Sequence, residues 1–214
     1  MDMLNAIEVR VLGSLMEKEL ATPEYYPLSL NGLVNACNQK TNRDPVMTLD
    51  EKEVQAALLS LKARHVVFQS DVGRVPKYWH NYGKQNNLIR CEEALLCILL
   101  LRGPQTAGEL RGRSERLCSF ENLEEVNQYL DNLSAVGLVA KLPLQPGRKE
   151  QRFTHLLSGE PEGADQAAAL HEFAAGCPTP NEDRLGELEK TVARLQEEIE
   201  LLKNEFLLFR KEFE

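Results

Sequence analysis

Residues 48–80, TLDEKEVQAALLSLKARHVVFQSDVGRVPKYWH, decide how the first part of this chain folds. The stretch begins with apolar residues at the i, i+3, i+4, i+7 spacing of an amphipathic helix, which are Val54, Ala57, Leu58 and Leu61. Thr48 and Glu51 have the spacing of a capping box and predict where this helix begins. A single helix with one buried face is therefore expected here.

Two short apolar runs follow the helix and predict a β-hairpin. Residues 66–69 and 75–80 have strand-like composition, and they are separated by residues 71–74, which include a glycine. Pro76 fits best if the second run is an edge strand, because proline cannot donate a ladder hydrogen bond.

Two further helices are predicted upstream. The first buries an apolar stripe formed by Leu4, Ile7, Val11 and Leu15. It ends at Thr22-Pro23, and a second helix begins at Ser29, a suitable N-cap residue. A polar connector, NQKTNRDP at 38–45, then leads to the helix of the opening stretch. The first repeat of the pattern thus covers residues 4–83.

Residues 91–158 repeat the same order of elements. An apolar helix over 92–101 stops at Gly103-Pro104, and Thr106 with Glu109 forms a capping box for a short second helix. A third helix is marked by Leu123, Val126, Leu130 and Leu133. It closes at Gly137, a natural left-handed cap, and two strands around residues 145–148 complete the second repeat.

Helix, helix, helix and hairpin, twice over, is the pattern of two tandem winged-helix domains. The sequence therefore predicts an α+β, mostly helical protein with a C-terminal coiled-coil helix. The predicted segments are a first winged-helix domain at 1–83, a connector at 84–90, a second winged-helix domain at 91–158, an acidic linker at 159–183 and the coiled-coil helix at 184–214. Residues 166–175 of the linker have the pattern of one short helix.

The C-terminal segment carries a regular heptad repeat. Its apolar residues alternate steps of three and four, at Leu185, Leu188, Val192, Leu195, Ile199, Leu202, Phe206, Phe209 and Phe213. β-Branched residues at a sites with leucine at d sites favour a parallel two-stranded coil, so residues 185–213 are predicted to dimerise the chain. The alternative is that this helix folds back on its own winged helices, since Leu201, Leu207 and Leu208 widen its apolar face.

Composition and charge narrow the class of protein. The net charge is −8, yet residues 1–158 hold 19 Lys and Arg against 19 Asp and Glu, so the tail, with 6 against 14, carries the whole excess. No apolar stretch reaches the roughly 20 residues of a membrane span, and the amino terminus does not resemble a secretion signal. The predicted location is the cytoplasm. Five cysteines without a CxxC pair favour free or buried thiols over disulfides or a zinc site.

Three stretches carry a family resemblance. They are EKELATPEYYPLSLNGLVNACNQKTNRDPVM at 17–47, LLLRGPQTAGELRGRSERL at 99–117 and PGRKEQRFTHLLSGE at 146–160. These stretches resemble the YceH family of uncharacterised bacterial proteins, over most of residues 4–160. The resemblance implies a pair of winged-helix domains followed by a variable tail, and it implies no activity and no functional residues.

Enzymatic signatures are absent from the sequence. It contains no GxSxG, P-loop, HExxH or GxGxxG motif, and its four histidines are scattered. We therefore predict a non-enzymatic protein without a cofactor, a catalytic residue or a metal site.

Basic residues are the candidates for binding nucleic acid. They cluster in four groups, which are the connector residues Asn38, Gln39, Lys40 and Arg43, the first hairpin residues Arg74 and Lys77, the second-repeat residues Arg111, Arg113 and Arg116, and the second hairpin residues Arg148, Lys149 and Arg152. Cations hold phosphate and amides can read base edges. The same residues could equally be solvated loop residues with local salt bridges, since charge runs often have only that purpose.

The sequence is compatible with two functions. In the first, the protein is a dimeric DNA-binding transcription regulator. In the second, it is a protein-interaction scaffold that docks a partner through its acidic third helices and does not bind DNA. Glu121, Glu124, Glu125 and Asp131 make the third helix of the second repeat repulsive to phosphate. Acidic residues at a helix start also complement the helix dipole, which explains part of this charge.

Overall fold

The computed structural model describes residues 3–144 and 150–159, which belong to one compact unit with an α+β fold. About half of these residues are helical. In chain order the elements are α1 (Ala6–Ala21), a 3-10 turn (Pro23–Tyr25), β1 (Leu28–Ser29), α2 (Leu30–Cys37), α3 (Glu51–Ala63), β2 (Val67–Ser70), β3 (Lys77–His80), α4 (Tyr82–Gln85), α5 (Arg90–Arg102), β4 (Gln105–Thr106), α6 (Ala107–Ser114), α7 (Leu123–Ala135), β5 (Val139–Lys141) and β6 (Arg152–His155).

Each repeat contains a three-stranded antiparallel sheet with the same strand order. In the first repeat the order is β1-β3-β2, with Leu28 opposite Tyr78 and Val67 opposite His80. In the second it is β4-β6-β5, with Gln105 opposite Phe153. The hairpins were predicted from the sequence, whereas β1 and β4 were not, because a strand of two residues has no detectable alternation.

The prediction that Pro76 lies on an edge strand is wrong. The strand it precedes, β3, is the central strand of its sheet and pairs with both neighbours. Pro76 lies one residue before β3 begins at Lys77, so its missing N–H costs no ladder hydrogen bond.

Helix starts agree with the sequence at two positions and differ at one. Ser29 caps α2 by accepting from the Gly32 N–H, and Thr106 forms the predicted capping box with Glu109. The predicted box at Thr48 is wrong. Asp50 caps α3, accepting from the Glu53 N–H at 2.8 Å while the Glu53 carboxylate accepts from the Asp50 N–H. Asp50 and Glu53 have the same spacing as the predicted pair, and a carboxylate is a strong cap at a helix start.

The first helices of the two repeats, α1 and α5, pack directly on each other. Leu12 and Leu15 in α1 and Leu99 in α5 are fully buried within one continuous apolar core that extends through both repeats. Gly13 allows the close approach, because a Cβ there would lie 3.0 Å from Leu101 Cδ2. The Cys97 thiol donates to the Gly13 carbonyl at 3.4 Å. The 84–90 connector therefore joins two repeats that share their interior.

Replacing Gly13 by alanine should destabilise the protein, although alanine normally favours a helix. The helix gain of about 1 kcal/mol is outweighed by overpacking against α5, which costs about 1–3 kcal/mol. We expect a net loss of about 1 kcal/mol in the free energy of unfolding, measured by denaturant titration. Gly112→Ala is the matched control, because Gly112 lies inside α6 with open space around it, and it should gain about 0.5–1 kcal/mol. Equal effects of the two substitutions would contradict the close packing.

Cysteine pairing differs from the prediction. Cys91, at the start of α5, forms a disulfide with Cys118, which follows α6, so the prediction of free thiols without disulfides is wrong for this pair. The two residues are 27 positions apart, and no spacing rule indicates their contact. Cys37 and Cys97 are free and buried, as their apolar helix faces predicted. Cys177 lies outside the described residues.

Candidate nucleic-acid interface

A cleft of about 470 Å³ lies where the two repeats meet, and we call it the basic cleft. Its lining comprises Glu17, Lys18, Ala21, Thr22, Gln39, Lys40, Thr41, Asn42, Ile98, Arg113, Arg116 and Leu117. The first repeat supplies the end of α1 and the connector between α2 and α3. The second repeat supplies α5, the end of α6 and the residues just after it. Two of the four basic groups predicted from the sequence are thereby brought to one site.

The connector is held in place by hydrogen bonds at both ends. The Asn38 side chain accepts from the Leu49 N–H and donates to the Leu49 carbonyl, each at 2.8 Å. Buried Arg10 donates to the Pro45 carbonyl at 2.6 Å. Asn38 was predicted to contact nucleic acid, but its amide is committed to this internal contact. Between the fixed ends, Lys40, Thr41 and Asn42 are exposed along the cleft.

Arg43 was predicted to bind nucleic acid, and that prediction is wrong. Arg43 is only 4% exposed, and its guanidinium donates to both carboxylate oxygens of Glu17, at 3.0 and 2.6 Å. It also donates to the Ala36 carbonyl at 3.1 and 2.9 Å. Arg43 is not a surface contact because the polar connector folds inward at this point. Its planar guanidinium there donates two hydrogen bonds to the largely buried Glu17 carboxylate.

The Arg43–Glu17 pair determines how much negative charge Glu17 contributes to the cleft lining. Burial alone would raise the pKa of Glu17, but the hydrogen bonds and positive charge of Arg43, with a smaller contribution from Lys18, lower it overall. Glu17 therefore stays ionised, and the buried Arg43 guanidinium neutralises its charge. The carboxylate in the cleft lining does not cancel the exposed cations around it.

The second repeat contributes three arginines, which differ in whether another residue already engages them. Arg113 lies 3.6 Å from the Glu109 carboxylate in a half-exposed pair, and Arg111 donates to the Glu121 carbonyl at 2.7 Å. Arg116 is exposed, and neither it nor Lys40 forms a hydrogen bond or ion pair with any residue in the described part of the chain. Lys40 and Arg116 are consequently the cations best placed to bind an external phosphate.

The sequence did not predict a role for Lys18, which lines the cleft, or for Arg102, which contacts the lining residue Asn42. Lys18 lies at the end of α1, beside Glu17 at 3.2 Å, and Arg102 ends α5 and donates to the Asn42 amide oxygen at 3.3 Å. Burial, followed by the nearby positive charge of Arg113, lowers the pKa of Arg102. Lys18 and Arg102 belong to no cluster of basic residues in the sequence, so nothing in it marked them. Only the packing of α1 on α5 brings them close to the same cleft.

The hairpin groups lie in different environments. Arg74 and Lys77 are exposed at the first hairpin, as a surface contact requires. Arg152 donates to the Pro104 carbonyl at 3.0 Å and contacts the Glu109 carboxylate at 3.3 Å, so it helps attach β6 to the start of α6. Arg148 and Lys149 lie outside the described residues, as do all the predicted dimerisation residues.

The third helices, α3 and α7, have partly exposed acidic surfaces. At the start of α3 the Glu53 carboxylate accepts from the Asp50 N–H. At the start of α7 the Glu125 carboxylate accepts from the Glu121 N–H at 2.8 Å. Those carboxylates therefore stabilise helix starts. Glu124 and Asp131 are exposed on α7. The acidic charge of α7 is thus partly structural and partly free to repel phosphate.

Comparison with known proteins identifies relatives along the whole chain. The family described as "Protein of unknown function, DUF480" matches residues 4–148. The chain belongs to the DUF480 family. A UPF0502 protein of Solibacter usitatus is 49% identical over 213 residues, 99% of this chain and 98% of the relative. A UPF0502 protein of Geobacter sulfurreducens is 51% identical over 216 residues, 99% of each chain, and one of Geotalea daltonii is 52% identical over 190 residues, 87% of each.

Membership of the DUF480 family agrees with the resemblance to an uncharacterised bacterial family, although the name YceH stays a prediction. The family description assigns no activity, so any function must be argued from the residues. Within the described ranges, no helix has the length and apolar character needed to cross a bilayer.

Proposed function

We propose that this DUF480 protein is a non-enzymatic, dimeric DNA-binding protein with a regulatory role, built from two tandem winged-helix domains. The observation that carries the proposal is the basic cleft, in which cations from both repeats face one opening. Each domain places its connector between second and third helix on this cleft. One nucleic acid backbone could therefore contact both domains at once.

The order of elements supports the winged-helix assignment. Each repeat has a first helix, a short strand, two further helices and a hairpin whose second strand lies between the other two. Helix-turn-helix proteins place the third helix of such a unit towards the major groove. Arg74 and Lys77 on the first hairpin are exposed, so they can hold phosphate beside that helix.

The chemistry of the cleft suits a phosphodiester backbone. Lys40 and Arg116 supply unengaged positive charge, and Arg113 can exchange its exposed pair with Glu109 for a phosphate. Gln39, Thr41 and Asn42 add neutral donors of the kind that fix a backbone in register. Binding of this type is mainly electrostatic and carries little sequence information, so α3 and the first hairpin are the elements expected to add specificity.

The dimer is proposed from the heptad repeat over 185–213, outside the described residues. Replacing Ile199 and Leu202 by aspartate puts charges in adjacent a and d layers of the seam. We predict that this double variant sediments as a monomer while the parent chain sediments as a dimer. The matched control replaces Glu200 and Asn204, which lie outside the heptad seam, by aspartate, and it should leave the mass unchanged. Equal mass for the parent chain and the Asp variant would contradict the dimer.

A protein-interaction scaffold is the second candidate, because apolar side chains accompany the acidic ones on the third helices. Leu59 on α3 is 62% exposed, and Leu123 and Val136 at the two ends of α7 are 45% and 59% exposed. Exposed apolar residues within a charged rim are a feature of protein docking sites. Under this alternative the basic cleft is only a solvated surface.

Salt dependence of DNA binding tests the proposal and separates the two candidates. Fluorescence anisotropy with a short random-sequence duplex is measured for the full chain at about 50 and 150 mM salt, with mass checked by light scattering. Binding by a dimer that weakens steeply with salt is the expected result, because phosphate contacts release counterions. Absence of binding at the lower salt would overturn the proposal in favour of the scaffold.

A further inference from the structure

The Cys91–Cys118 disulfide adjoins residues that line the basic cleft. Arg116 and Leu117 line the cleft, and Cys118 is the next residue along the chain. Cys91 is the second residue of α5, which belongs to the shared core. The bond therefore links the segment that carries Arg116 to a helix of the shared core. We call residues 115–118 the cleft wall.

Hydrogen bonds and one buried side chain also hold the cleft wall. Arg90 donates from Nε to the Leu117 carbonyl and from Nη2 to the Leu20 carbonyl, both at 3.1 Å. This single side chain links the wall to the end of α1. Leu117 itself is buried, and its N–H donates to the Ser114 carbonyl at 2.7 Å, which keeps it close to α6. Without the disulfide, the wall is held by Arg90, by the buried Leu117 side chain and by the backbone hydrogen bonds of Leu117 and Cys118 to the Ser114 carbonyl.

The two bonded cysteines are more accessible than the free ones. Cys91 and Cys118 are half-buried, whereas Cys37 and Cys97 are fully buried. Burial raises the pKa of the Cys37 and Cys97 thiols, which keeps them protonated and poorly reactive. Among the cysteines that the structure describes, the pair beside the cleft is therefore the one more accessible to a thiol reagent from solvent.

We propose that Cys91–Cys118 is a reducible bond that controls the affinity of the basic cleft for DNA, an inference that rests on the proposed function. The reductant is a dithiol, supplied by a small molecule or by a redox protein. Its thiolate attacks one sulfur of the bond and forms a mixed disulfide, and its second thiol then displaces that cysteine. Cys91 and Cys118 are each reduced to a thiol, two electrons and two protons are transferred, and the dithiol becomes a disulfide.

Reduction should weaken binding, since it loosens the wall that carries Arg116. A fixed arginine meets a phosphate without first being ordered, whereas a loosened segment must lose conformational freedom on binding. Ordering costs of this kind correspond to about a three- to tenfold change in affinity. The oxidised protein is therefore the tighter DNA-binding form.

The test uses the full chain, air-oxidised or treated with dithiothreitol, with three readouts. Thiol titration in denaturant should rise by two thiols on reduction, because one disulfide yields two thiols. Hydrogen–deuterium exchange should become faster in the cleft wall and stay unchanged in the core of α5. Anisotropy with a random-sequence duplex should show about three- to tenfold weaker binding after reduction.

Variants assign the effect to this bond. Cys91→Ser and Cys118→Ser should each bind like the reduced protein and lose their response to dithiothreitol. Cys177→Ser, outside the pair, should respond like the parent chain. Exchange in the wall that is unaffected by reduction would overturn the inference, as would equal DNA affinity of both redox forms. If neither form binds DNA, the proposed function fails, and the exchange readout still decides whether the bond fixes the wall.

Discussion

Arg43→Met should cost about 3–5 kcal/mol in the free energy of unfolding, because it leaves the Glu17 carboxylate without its partner in a largely buried site. The two side chains are 0% and 12% exposed, and five hydrogen bonds of the guanidinium, two to Glu17, two to Ala36 and one to the Asn42 carbonyl, are lost together. Methionine retains the unbranched apolar stem, so the loss reflects charge and hydrogen bonding more than volume. Denaturant titration followed by circular dichroism measures the change.

The pH dependence of this loss identifies its cause. In the parent chain the lowered pKa of Glu17 contributes stability above its ordinary value of 4.5, and this is lost as the pH falls through the folded pKa. In the variant, burial without Arg43 raises the pKa of Glu17, so protonation relieves the penalty. The difference between variant and parent should therefore shrink from neutral pH towards about pH 4. Arg74→Met, at an exposed position, is the control and should change stability by less than about 0.5 kcal/mol. A similar small change for Arg43→Met would show that Arg43 is a surface residue after all.

The second large effect concerns DNA affinity. Replacing Lys40 and Arg116 together by alanine removes the two cations of the basic cleft that no described residue engages. Each lost phosphate contact lowers the slope of log affinity against log salt by about 0.9, so the slope should become shallower by about 1.8. At about 0.1 M salt this corresponds to a roughly 50-fold weaker affinity, measured by anisotropy with a random-sequence duplex.

The matched control for this variant changes the same amount of charge elsewhere. Lys84 is exposed on α4, which lies outside the basic cleft, α3 and both hairpins. Lys84→Glu lowers the net charge by two units, as the double variant does, and should leave the salt slope nearly unchanged. If both variants weaken binding equally, the protein is responding to net charge alone, and the basic cleft is not the binding site. Unchanged thermal unfolding of both variants shows that folding is intact.

Most secondary structure was predictable from the sequence because it is encoded locally. Apolar spacing located the long helices, and Ser29 and Thr106 correctly marked the starts of two shorter ones, α2 and α6. The error at Thr48 arose where Asp50 has the same spacing to its own glutamate. β1 and β4 are stabilised by pairing with the returning hairpin strand, a long-range contact that local patterns do not contain.

The candidate site was only partly predictable, because it depends on how α1 packs on α5. The sequence identified Lys40, Arg113 and Arg116 as cations in separate groups, but gave no sign that they share a cleft with Lys18. Arg43 looked equivalent to Lys40 in a polar connector. What distinguishes the two is a carboxylate 26 residues away that only the folded chain places beside Arg43. The Cys91–Cys118 contact was hidden for the same reason.

Hydrogen–deuterium exchange of the full chain with and without a random-sequence DNA duplex tests the central proposal most directly. If the basic cleft holds the DNA backbone, peptides covering 39–42 and 113–117 should both become protected on binding, with the two repeats responding together. Protection confined to the hairpin at 67–80 or to α7, with no change in the cleft, would contradict the account.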